Sequence, residues 1–113
     1  MSMWEKIKLG CKFLFGGFEA ATDYLLNTVL NPYLNTDTVR ANVRAAYEKT
    51  NIVLGYLREY REYCPGAWLT QYDATVDAVD AMVEVFADGQ VSRLEIESVV
   101  QAFNAARAAY MAD

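Results

Sequence analysis

The chain has 113 residues, 54% of them hydrophobic and 22% charged, with a formal net charge of −5 and no histidine. That length fits one domain, and the apolar fraction argues against disorder. The acid balance opposes nonspecific nucleic-acid binding, and the missing imidazole removes every mechanism that needs a histidine base or ligand.

The charge is uneven. Residues 1–18 carry +2, residues 19–58 balance, and residues 59–113 carry −7. Only 6 Gly and 2 Pro leave too few turn signals for a many-stranded sandwich or barrel. The pattern predicts an all-α, single-domain bundle of four to five helices. Its domain is 1–113, with a kinked or broken helical segment over 1–34 and a bundle over 35–113.

In the first segment Trp4, Ile7, Cys11, Leu14, Phe18, Ala21 and Leu25 recur at steps of three and four. Gly16 and Gly17 interrupt the composition but not the phase, and a kink or break is expected there. The element should end near Leu30, ahead of Asn31-Pro32. Lysines before an apolar stretch superficially resemble a signal peptide. The strictly apolar run Phe13–Phe18 is short, however, and no small-x-small cleavage pattern follows. No window supplies the ~20 apolar residues of a membrane span. The expected setting is cytoplasmic, with Cys11 and Cys64 as buried thiols rather than a disulfide framework.

Asn35-Thr36-Asp37 offers N-cap side chains for a second helix. Its seam is Val39, Val43, Ala46, Thr50, Val53, Leu57 and Tyr60, and its stop is Cys64-Pro65-Gly66. From Asp37 to Tyr63 it would run about 40 Å. A sphere for this length has a diameter of about 26 Å. A bend near Thr50-Asn51 or Gly55, or a projecting end, is therefore expected.

Leu69, Tyr72, Val76, Val79, Val83 and Phe86 form the cleanest repeat, closed by Asp88-Gly89. Ser92-Arg93-Leu94-Glu95 reads as a capping box opening a last helix with the seam Ile96, Val99, Phe103, Ala106 and Tyr110. The short link predicts that these two helices form an antiparallel hairpin, Val76, Val79, Val83 and Phe86 packing on Ile96, Val99 and Phe103.

Four features carry candidate function. Glu84–Glu95 resembles half of a calcium loop, but Phe86 occupies a ligand position and Glu84 stands at the first. An ordinary helical corner is the expectation, without calcium. Asp73, Asp77, Asp80 and Glu84 line one helical ridge without a lysine among them. The ridge is a solvated face, a docking strip, an imitation of a phosphate backbone, or a partner for Arg40, Arg44 or Arg58. A di-metal site there is disfavoured because such bundles use Glu-x-x-His pairs.

In the first helix Leu9 and Phe13 stand one turn apart, nearly opposite the main apolar stripe. Two apolar sides mean sandwiching between helices or subunits, or, with Lys6, Lys8 and Lys12 nearby, shallow attachment to a membrane surface. Tyr56, Tyr60 and Tyr63 accompany Arg58 and Arg61, but Glu59 and Glu62 cancel the field. A core edge or protein interface is preferred to base stacking.

No phosphate loop, nucleophile motif or metal cluster is visible. The expectation is a non-enzymatic assembly or adaptor protein with no cofactor and no small-molecule substrate. Its partner would be another protein, with self-association foremost, without direct nucleic-acid contact. An acidic inhibitor of a nucleic-acid-binding enzyme is the alternative, and peripheral membrane association the third. Small acidic helical chains poor in cysteine are common among phage and mobile-element accessory products. That association is compositional.

Overall fold

The computed structural model describes residues 2–29, 37–88 and 93–111. Within them lie four helices: α1 (Met3–Tyr24), α2 (Asp37–Glu59), α3 (Leu69–Asp88) and α4 (Arg93–Met111). No strand occurs among the described residues. The predicted caps at Asn35-Thr36 and Ser92, and the Gly89 stop, lie outside them.

α1 starts on a signal that the periodicity reading passed over. The Ser2 hydroxyl accepts from the Glu5 amide at 3.2 Å, and the Ser2 amide donates to the Glu5 carboxylate at 3.1 Å. Two otherwise orphaned donors are satisfied by this Ser-x-x-Glu box. The helix then runs unbroken through Gly16 and Gly17, where a kink or break was expected. Phe15 and Phe18 bracket the glycines and anchor both arms to one helix. The Phe18 ring stacks on Phe103 at 4.4 Å, and Phe15 meets Tyr110 edge-on at 5.4 Å. Tertiary contacts thus override the glycine propensity. The departure from α geometry comes later, as a π-turn over Leu25–Val29 that buries Leu25 fully.

α2 is followed by 3-10 turns at Tyr60–Tyr63 and Gly66–Trp68, on either side of Pro65. Its length needs no globule-fitting bend, because the molecule is elongated, 47 × 22 × 20 Å. The sphere was the wrong reference shape.

α3 and α4 form the antiparallel hairpin. Thr75, early in α3, meets the Tyr110 hydroxyl, late in α4, at 3.4 Å. Val79, Val83, Phe86, Ile96, Val99 and Phe103 are all buried in one core, while Val76 is half-buried at its edge. α2 packs along α3, and α1 packs along α4. The Arg107 guanidinium donates to Glu19 at 3.0 Å, outside the Phe15–Phe18–Phe103 stack. Four helices thus stand in the order α1, α4, α3, α2, with three of the four sides closed. Among the described residues the fourth side, between α1 and α2, is open, the two helices approaching only weakly along their backbones.

Both thiols are free and buried. Burial pushes the Cys11 thiol up to about 11 from its ordinary 9.0, with Cys64 adding to the shift and a hydrogen bond with Tyr110 opposing it. Burial raises the Tyr72 and Tyr110 phenols as well. These shifts fix the sign of an alkaline instability. Below pH 9.0 the thiol keeps its proton in both states; above it the unfolded chain releases the proton while the fold holds it to about 11. Stability is therefore complete below the unfolded value and falls as pH rises. Melting temperatures from pH 7 to 11 should decline from about pH 9. Cys11→Val should flatten the first part of that decline, and an unchanged melt up to pH 11 would contradict the assignment.

Candidate interaction surface

The open side of the bundle is a seam bounded by α1 and α2 and floored by α3. At the end where α1 begins it is a groove of about 750 Å³, lined by Ile7, Gly10 and Leu14 from α1 and Val53, Tyr56 and Leu57 from α2. Tyr72 forms its floor, held there because its hydroxyl donates to the Leu57 carbonyl at 2.6 Å. Toward the other end the seam reopens as a hollow of about 270 Å³ over Phe86, between Ala21 and Tyr24 on one side and Val43 and Ala46 on the other. There Asn42 donates to the Tyr24 hydroxyl at 3.2 Å and ties the two helices across it.

Phe13 stands on the rim of the larger groove with 75% of its surface exposed, and Leu9, one turn away, is 44% exposed. The second apolar side read from the sequence is thus real and uncovered. The main stripe is rotated from the one expected: Cys11, Phe15, Phe18 and Thr22 are buried, whereas Ile7 and Leu14 are half-buried at the groove wall. Across the seam Ile52 and Tyr56 are exposed on α2. The Tyr56 and Tyr60 rings stack at 6.2 Å, and Tyr63 follows Tyr60 at 6.0 Å. The tyrosine cluster and the Leu9/Phe13 face, separate in sequence, therefore flank one surface.

Gly10 lies in that groove wall, and a Cβ built on it would meet nothing within 4 Å; the same holds at Gly17. A glycine inside a helix costs about 1 kcal/mol relative to alanine. Packing within the chain does not call for a glycine at either position.

The acidic ridge is differently occupied. Arg61 clamps Asp73 with two hydrogen bonds, at 2.7 and 2.9 Å, and holds its carboxyl below the usual range. Arg58 approaches Asp80 at 3.7 Å. Pairing with Arg58 was among the expectations; the stronger pair with Arg61 was not. Asp77 and Glu84 are exposed. Arg40 and Arg44 instead pair within α2, with Asp37 and Glu48. Of the lysines read as a basic face, Lys8 is directed inward, its ammonium 4.4 Å from the centre of the Trp68 ring.

The calcium-like segment falls partly outside the described residues, at Gly89–Ser92. Phe86 is buried, so its loop position is turned into the core. Among the described residues no group of three or more cysteine, aspartate or glutamate side chains is placed to hold a metal ion, and no helix is long and apolar enough to cross a membrane. Compared with family models, curated proteins and solved structures, the chain matches none.

Proposed function

We propose that the chain is a non-enzymatic helical interaction module that docks another protein on its open α1–α2 seam. The observation that carries this reading is the pairing of a three-quarters exposed Phe13 with the apolar groove that it helps to line. Isolated exposed apolar residues need no explanation, but a contiguous patch marks a binding surface. Met3, Phe13 and Tyr56 line this groove and are exposed, and aromatic anchors of this kind dominate interface energetics. The acidic mimic reading has less support, since arginines of the same chain engage two of the four ridge carboxylates.

The test is photocross-linking in the native cell from a photoreactive phenylalanine analogue at position 13, with position 97 on exposed α4 as control. A discrete polypeptide adduct at 13 and none at 97 is the expected result. Reaction only with lipid, or with nothing, would refute protein docking at the seam.

A further inference from the structure

We infer that the first half of α2, Asp37–Lys49, is an order–disorder element: it melts and re-forms above a bundle that stays folded, with Thr50 as the boundary. This holds whatever protein docks at the seam. Stability differs from place to place in a fold, and segments with few buried apolar contacts open first. From Arg40 to Lys49 no side chain is buried; Val43, Ala46 and Tyr47 are half-buried, and the rest are exposed. No other described helix has so long a run without a buried side chain. Directly after it Thr50, Leu54 and Leu57 are all buried.

The polar links divide at the same point. Arg40 pairs with Asp37 at 3.8 Å and Arg44 with Glu48 at 3.6 Å, both exposed and both inside the segment. Such pairs support a helix locally and fasten it to nothing else. Among the described residues one hydrogen bond ties 40–49 to another helix, the exposed contact of Asn42 with the Tyr24 hydroxyl. Beyond Thr50 the helix is fastened to α3 by the buried bond from Tyr72 to the Leu57 carbonyl and by Arg58 with Asp80. Thr50 marks the boundary in its own chemistry. Its hydroxyl donates to the Ala46 carbonyl at 2.7 Å, a back-bond of the kind that weakens and bends a helix. Alone, a helix of about 13 residues is near balance in water. Val43 and Ala46, two of its three half-buried side chains, wall the hollow of about 270 Å³ over Phe86. Helical, the segment closes that side of the hollow; melted, it leaves Phe86 bare there.

Hydrogen exchange on the full chain, read amide by amide by NMR, tests this. After correction for intrinsic rates, amides of 42–49 should exchange at least about 100-fold faster than those of 55–59 and of α3. Urea below the unfolding transition should hardly change the rates at 42–49, because little surface is exposed when they open, while it speeds exchange in α3. Brief trypsin digestion of the native protein supplies a second measurement, since cleavage follows the population of the opened form. Its first cuts should fall after Arg40 or Arg44, ahead of Arg58. Protection at 42–49 within about threefold of that at 55–59 would overturn the inference. So would rates at 42–49 that rise with urea as steeply as those of α3, because the segment would then open only with the whole fold. Cleavage at Arg58 before Arg40 and Arg44 would overturn it as well.

Discussion

Phe103→Ala should lower the free energy of unfolding by about 4–5 kcal/mol, toward the upper end for truncating a buried phenylalanine. The Phe103 ring is the plate on which α1 is mounted: Phe18 stacks against it and Phe15 meets it edge-on at 6.2 Å. Both partners come from the helix that lacks close support from α2. The vacated space borders a hollow of only about 40 Å³ beside Phe15 and Phe18, against about 270 Å³ over Phe86, so less of the loss is offset. The accompanying signature is spatial: amide hydrogens of α1 should exchange faster, by orders of magnitude, while those at the α2–α3 interface keep more of their protection. A denaturant titration showing less than about 1 kcal/mol of loss, or uniform loss of protection, would contradict this mounting role.

Phe86→Ala should cost about 3 kcal/mol, near the lower end of the same range. The ring is as buried as Phe18, but it floors a hollow between Ala21, Tyr24, Val43 and Ala46 that is already open to water. Truncation deepens an existing recess instead of creating a sealed void, and water and the seam side chains can occupy part of it. The comparison between the two variants is therefore more informative than either alone. Equal costs would mean that the seam is closed over Phe86 in solution.

The sequence spacing made the α3–α4 hairpin readable almost residue by residue, because both helices bury one continuous stripe and a short link leaves them a single way to pair. The Leu9/Phe13 face was readable for the same reason: a helix with two apolar sides cannot hide both in a small core. The groove beside it was not readable. Whether two amphipathic helices touch depends on which neighbours each has already engaged, and here α4 holds α1 while α3 holds α2. Helical phase cannot express that competition. The unbroken passage through Gly16-Gly17 was missed because propensity was weighed without the two phenylalanines that bracket the pair. The Ser2–Glu5 box was present in the residues and would have placed the helix start. The Arg61–Asp73 clamp spans the Pro65 turn, whose geometry spacing alone does not determine.

The mounting of α1 on α4 also has a consequence in time. Glu19 and Arg107 are 88 positions apart, and closing a loop of that size costs about 4 kcal/mol of chain entropy before its contacts repay it. During synthesis α1 leaves the ribosome long before Phe103 exists. At ~5–20 residues per second, the interval between the completion of α1 and the arrival of Phe103 is about 4–16 s. Through that interval Phe15 and Phe18 have no platform, and a helix with two apolar sides has neither of them covered by α4. Of the four helices described, α1 waits longest for its partner, so its apolar faces stay open to a chaperone until α4 is made.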